Sequence, residues 1–334
     1  MKGMTATGAL FAALLAGCIV AEAAPLARYE FEEPHLGTRV RVVLYASSPA
    51  QANAAATAAY DVMRAVNLCM SDYLPDSELS RLSAASGQGP RKVSPEPYAV
   101  LNSAQAMARA SGGAFDITVG PQVRLWRQAR KTRQLPPSGA FDTAKLLTGH
   151  TRLSLGDNHA TLSTPGMLLD LGGIAKGYAC DRALEAMAAR GVSCALVDTG
   201  GGLALGDPPP GQAGWKIGLL GDRSRILVLS RCGVATSGDT EQFVEIEGVR
   251  YSHILNPATG LGLTRQEMAT VVARDGTTAD ALATACCVLG GPGALELAAS
   301  QPGSEVWVQW IEERRRKRLE SPGFSRLTIP APED

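Results

Sequence analysis

Asp170-Leu171-Gly172-Gly173-Ile174-Ala175-Lys176-Gly177-Tyr178-Ala179-Cys180-Asp181-Arg182 is the stretch on which the reading of this chain turns. Leu168 and Leu169, just before it, read as the end of a buried strand. Gly172 and Gly173 allow the backbone to turn sharply and to approach another group closely. From Ile174 onward Tyr178, Ala179, Leu184, Ala186 and Met187 recur at three- and four-residue spacing, the pattern of a helix. A strand, a glycine turn and a helix start gather backbone N–H groups and a positive dipole end at one point, where an anion fits. Asp170 and Lys176 bracket that point with opposite charges. A phosphate-bearing ligand suits the pattern, and a plain tight turn with a solvated lysine suits it as well.

The chain has 334 residues, 45% hydrophobic and 19% charged, enough for one large globular core or two moderate ones. Its 32 basic and 32 acidic residues cancel, so no global field draws it to nucleic acid or anionic lipid. Lys2 and the apolar run over residues 9–16 read as an export signal too short to span a bilayer. Leu15-Ala16-Gly17-Cys18 resembles a bacterial lipobox, whose cysteine is acylated; cleavage after Ala21-Glu22-Ala23 is the competing reading. Either way the expectation is an exported, periplasmic protein, with residues 1–24 outside the fold. Residues 25–334 then form a single α/β catalytic domain of one body or two interlocked lobes. The other cysteines (Cys69, Cys180, Cys194, Cys232, Cys286 and Cys287) show no Cys-x-x-Cys or Cys/His metal spacing. They are expected to be mostly free, buried thiols.

Residues 27–45 alternate as a pair of strands turning at His35-Leu36-Gly37-Thr38, and residues 50–70 form an amphipathic helix. A polar segment carrying Tyr73 leads to a short helix, and residues 95–111 form another helix ended by Gly112-Gly113. Residues 114–121 read as a short strand or extended loop, 128–149 as an exposed connection with a short helix and 150–165 as a hairpin. Strands are expected at 193–198, 215–220, 226–229, 233–237, 268–273 and 307–311, with a turn at Glu247-Gly248 inside 243–251. Thr277-Thr278-Ala279-Asp280 reads as the cap of a helix running to Leu289, and residues 312–318 as a solvated charge run.

Asp280 and Thr284 stand four apart, so on a helix both oxygens project from one face. Such a pair can ligate a hard cation such as Mg2+, which keeps water and bridges substrate phosphates. A capping aspartate beside an interior threonine would look the same. His253, before Asn256-Pro257, could act as a general base at its ordinary pKa of about 6.5, or be structural. No Gly-x-Ser-x-Gly elbow or Walker-type phosphate loop is present.

Read together, "AFDITVGP", "DLGGIAKGYACDR", "ALVDTGG", "ATSGD", "SHILNPATG" and "TTADALATA" resemble, in order and spacing, the ApbE-type FAD:protein FMN transferases, over roughly residues 30–310. The resemblance implies a T-fold-like flavin-binding α/β (α+β) fold with mixed or antiparallel sheets. It implies exported, often lipid-anchored enzymes that use Mg2+ to split FAD, link FMN through its phosphate to a Ser/Thr of an acceptor flavoprotein, and release AMP. By motif, Asp280 and Thr284 match the side-chain Mg2+ ligands, and Gly173 the residue giving a carbonyl to the ion. Leu36, Tyr73, Ala114, Phe115, Asp116, Asp170, Lys176 and Ile254 match flavin-nucleotide contacts, and His253 the base that activates the acceptor hydroxyl. Three positions depart from the pattern: Leu36 stands for methionine, Asn256 for aspartate and Thr240 for tyrosine. The alternatives are an FAD pyrophosphatase giving FMN and AMP, and a non-catalytic flavin-binding lipoprotein.

Overall fold

The computed structural model describes residues 25–332 apart from 138, 240 and 241. The lipobox with Cys18 and the departure at Thr240 lie outside the described residues.

An eight-stranded sheet organises the rest. Its strands are Ala27–His35, Thr38–Ala46, Ala195–Asp198, Gly202–Leu205, Cys232–Gly238, Glu267–Ala273, Glu305–Glu312 and Arg315–Glu320, side by side in chain order. Every neighbouring pair is antiparallel. Of the mixed or antiparallel sheets expected, the antiparallel kind is found, and a parallel contact remains only as the isolated bridge Val119–Leu168. Helices gathered on one face of an antiparallel sheet make the fold α+β.

Alternation along the strands decides the two faces. Val40, Val42, Leu44, Val197, Ala235, Val271 and Val308 point to a core shared with the helices Pro49–Met70, Ala175–Ala188 and Gly276–Leu289. Val43, Leu196, Leu205, Val234, Met268, Val272 and Trp307 point the other way, onto Trp215, Leu227, Leu229 and Phe324. The strands Trp215–Gly218, Arg225–Leu229 and Thr328–Pro330 form a small second sheet on that side. A third apolar cluster joins Trp126 and Ala129 to Val244, Ile246, Tyr251 and Leu255. It holds the hairpin Phe243–Ile246/Val249–Ser252 against the helix Gly120–Thr132.

That helix was expected only as an extended loop and a connection. Pro121 sits in its first turn, where proline is tolerated, and its narrow apolar stripe faces a hairpin more than a hundred residues away. Other elements were not anticipated either, among them the strand Gly202–Leu205, hidden in a glycine run, and the helix Gly291–Ala299. The charge run forms the end of a β-hairpin with the exposed edge strand Arg315–Glu320. All six cysteines of the described region are free, four of them buried.

Candidate functional site

The stretch Asp170–Arg182 folds as a turn and a helix, without the preceding strand. Leu168 makes a single bridge to Val119, and Asp170 N–H donates to the Ile117 carbonyl at 2.8 Å. The Gly172 N–H donates to Asp170 Oδ1 at 2.8 Å, closing the turn through the aspartate side chain. The helix runs from Ala175 to Ala188 with Ile174 as its N-cap and no side-chain cap bond. Its first-turn N–H groups must therefore find partners elsewhere.

One such partner comes from Gly276–Leu289. The Gly177 N–H donates to Asp280 Oδ2 at 3.0 Å, so a buried carboxylate lies at the positive end of a neighbouring helix. A Cβ at Gly177 would run into the Gly276 carbonyl, which is why the two helices can meet this closely. Asp280 is interior to its helix, not its cap. The cap is Asp275, whose Oδ1 accepts from the Thr278 N–H at 2.7 Å. Asp181 adds a second anchor: its carboxylate accepts from the N–H groups of Gly276 and Thr277 at 2.7 and 2.8 Å. Burial pushes Asp181 up to about 6 despite those bonds.

Thr284 lies one turn beyond Asp280, as the spacing requires, with its Oγ1 3.4 Å from Ser237 Oγ. Gly173 passes directly over it: a Cβ there would lie 3.1 Å from Thr284 Oγ1 and 3.2 Å from the Phe115 ring. Lys176 Nζ donates to the Gly172 carbonyl at 2.8 Å and lies 3.9 Å from Asp280 Oδ2. Gly173, Lys176, Asp280 and Thr284 are thus brought together. Among the described residues no three His, Cys, Asp or Glu side chains cluster as metal ligands. A cation here would take one carboxylate, a hydroxyl, backbone carbonyl and water. That oxygen-only set fits Mg2+ and not a thiolate- or imidazole-seeking metal.

The rest of the candidate site spreads from this junction. Asp170 Oδ2 accepts from Arg127 at 2.8 Å, and Arg127 also pairs with Asp72 and stacks on the exposed Tyr73 ring, 4.2 Å from its centre. Burial first, and then repulsion from Asp72, raise the Asp170 carboxyl above its usual range, against the pull of Arg127. Asp116 turns inward: its Oδ1 accepts from the N–H and hydroxyl of Thr118 at 2.8 and 2.7 Å, and burial raises its pKa. Ala114 lies in the turn before it, and Phe115 is buried beside Gly173. Leu36 stands apart, in the left-handed region at φ 52°, lining a separate groove with Arg64, Asn67 and Leu68.

His253 follows the hairpin, half-buried, and Ile254 beside it is buried. The His253 Nδ1 lies 3.1 Å from the Gln242 carbonyl. A carbonyl can only accept, so Nδ1 carries the hydrogen and Nε2 keeps its lone pair. Burial lowers the imidazole pKa from its usual 6.5 against the pull of the Gln242 carbonyl, and smaller repulsions from Arg130 and Lys176 act in the same direction as burial. Trp126 fixes the approach by donating its indole N–H to the Ser252 carbonyl at 3.1 Å. Asn256, in the place of aspartate, accepts the Ala258 N–H on Oδ1 at 2.9 Å, a turn bond either residue can make.

A family model for the ApbE family matches residues 36–308. The chain belongs to the ApbE family. Among curated relatives of this ApbE-family chain, the FAD:protein FMN transferase of Treponema pallidum is 34% identical over 311 residues, covering 86% of each chain. That of Vibrio cholerae is 31% identical over 288 residues, covering 83% of this chain and 85% of its own. The solved flavin transferase ApbE from Vibrio cholerae superposes with a TM-score of 0.82 at 27% identity, covering 91% of this chain and all of that one. The ApbE protein of Thermotoga maritima gives 0.81 at 30% identity, with 90% and 99% covered.

In this ApbE-family chain, five residues that bear on the site escaped the sequence reading: Asp72, Arg127, Asp181, Ser237 and Gln242. Asp181 and Ser237 lie inside quoted motifs, where proximity to glycine turns was the available signal. Arg127 and Gln242 carried none, because their partners are distant in the chain.

Proposed function

We propose that this chain transfers the FMN part of FAD to a Ser or Thr hydroxyl of an acceptor flavoprotein, with Mg2+ held by Asp280, Thr284 and the Gly173 carbonyl. Its membership of the transferase class rests on the ApbE family and its FAD:protein FMN transferase relatives. The single observation that carries the chemistry is the convergence of Asp280, Thr284, Gly173 and Lys176 at an uncapped helix start.

When bound there, Mg2+ supplies Lewis-acid neutralisation of the FAD phosphates. Lys176 adds positive charge beside the same phosphates, and the helix start of Ala175–Ala188 adds its dipole. Nε2 of His253 takes the proton of the acceptor hydroxyl as its oxygen bonds to the FMN phosphorus. The bond from that phosphorus to the pyrophosphate bridging oxygen breaks, and AMP leaves with the electron pair. Asp170, held by Arg127 and by the Gly172 N–H, orients the flavin nucleotide with Tyr73, Ala114, Phe115, Asp116 and Ile254. Such general-base help contributes about 10²–10⁴-fold.

The reading is tested by incubating the full-length chain with FAD, Mg2+ and a flavoprotein subunit bearing a Ser/Thr acceptor motif, followed by intact mass. An FMN adduct with AMP release is expected. AMP and free FMN without an adduct would make the chain a pyrophosphatase, and unchanged FAD a binding protein.

The export reading extends this to a periplasmic enzyme tethered by lipid on Cys18, with residues 25–334 as one catalytic domain. Among the described residues no helix is long and apolar enough to cross a membrane. Cys18→Ser is expected to release the protein from the membrane fraction, and unchanged fractionation overturns the anchor.

A further inference from the structure

Between the C-terminal half of Gly120–Thr132 and the strand Phe243–Ile246 runs an open groove of about 660 Å³. Among the described residues Arg127, Arg130, Lys131 and Arg133 line it, with Phe243, Val244 and one acid, Glu245. Setting aside Arg127, three cations share that wall with one described carboxylate in a chain whose formal charge is zero. Arg127 is engaged by Asp72 and Asp170, but Arg130, Lys131 and Arg133 have no ion-pair partner among the described residues. Basic residues in a last helical turn complement the helix dipole, which accounts for Arg130 and Lys131 being basic. It does not account for Arg133 beyond the helix end, nor for a concave wall that keeps like charges together. Concave surfaces of one sign focus field lines and draw oppositely charged ligands. Phe243, 45% exposed, adds an apolar anchor of the kind that interfaces favour together with arginine.

The groove also leads somewhere. Its inner end is Arg127, which grips Asp170. Arg130 lies near enough to His253 to act on its charge, and Phe243 directly follows Gln242, whose carbonyl holds the imidazole. A chain lying in the groove therefore passes close to the proposed base.

We infer that this groove docks an acidic stretch of the acceptor protein next to the hydroxyl to be modified, and so helps decide which proteins are flavinylated. The inference rests on the transferase reading. Its charges act at the rim of an encounter, so they set association and its salt dependence more than the chemical step.

The test uses one flavoprotein acceptor domain in two versions, with four residues flanking the acceptor threonine either Asp or Asn. The full-length enzyme is expected to show the lower KM for the Asp version, with the gap closing as salt is raised. Lys131→Glu with Arg133→Glu should raise the KM for the Asp version by about tenfold with little change in kcat. The same pair should leave FAD binding and the Asn version unchanged. Equal KM values for both versions with the wild-type enzyme, or an equal loss on both in the variant, overturn the docking role. Failure of the wild-type enzyme to modify either version overturns the transferase reading and the docking inference with it.

Discussion

At Gly177 two helices meet through their backbones, whereas at His253 a hairpin meets a helix through side chains. In the first region the Gly276 carbonyl fills the space a Cβ would need, and Asp280 and Asp181 tie each helix start to the other helix. In the second, Trp126 and a small apolar cluster carry the hairpin, and one carbonyl orients the imidazole. Steric backbone contact leaves the helix junction almost no freedom. Side-chain contact at a rim leaves the hairpin room to adjust. On the proposed function, that asymmetry suits a site that grips one small donor and admits a protein.

The contrast breaks most severely at Gly177. Gly177→Ala should cost about 3 kcal/mol or more in stability, since the obstructing atoms are backbone and cannot step aside. Denaturant unfolding measures this, and a near-neutral result would mean that the helices are free to separate. Asp280→Asn keeps an oxygen for the Gly177 N–H while removing the charge. Transfer should fall by about 10²-fold or more with the folded structure retained, read by flavinylation rate beside thermal melting.

His253→Ala should lower transfer by about 10²–10⁴-fold while FAD affinity stays nearly unchanged in a binding titration. An equal loss of affinity would assign the residue to binding instead. The pH profile sharpens the same point. Protonation occupies the Nε2 lone pair, so the rate falls as pH drops through the imidazole pKa. Burial lowers that pKa, placing the midpoint below 6.5 with a plateau above it.

The smallest effect is expected at Arg250. It donates to the Asp239 carbonyl, pairs with the Asp239 carboxylate at 3.3 Å and lies 3.8 Å above the Phe243 ring, bracing the hairpin onto the end of the strand that bears Ser237. Arg250→Met should slow transfer by about 3- to 10-fold at the cost of about 1 kcal/mol in stability. A larger loss of stability than of rate would make Arg250 a part of the fold alone.

Most strands and long helices were legible because alternation and three- to four-residue spacing are local consequences of two buried faces. The helix Gly120–Thr132 was not. Three arginines and a lysine hide its short apolar stripe, and the surface that stripe covers belongs to residues 244–255. The cap of Gly276–Leu289 was misplaced for a related reason: several Thr and Asp residues in a row can all cap, and only the backbone chooses Asp275.

By itself the sequence singled out the residues to which the proposed chemistry is assigned: an Asp and a Thr on one helical face, a lysine after a glycine turn, a histidine before a turn. Their ordered motifs also determined the family. Tertiary structure alone decided that Gly173 lies over Thr284, that Gly177 admits Asp280, and that Arg127 clamps Asp170. It alone set the His253 tautomer, through the carbonyl of Gln242, just before the strand Phe243–Ile246. The physical reason is range. Periodicity and turn chemistry act over a few residues, while hydrogen bonds, ion pairs and steric exclusion act over a few ångströms between residues up to a hundred or more positions apart.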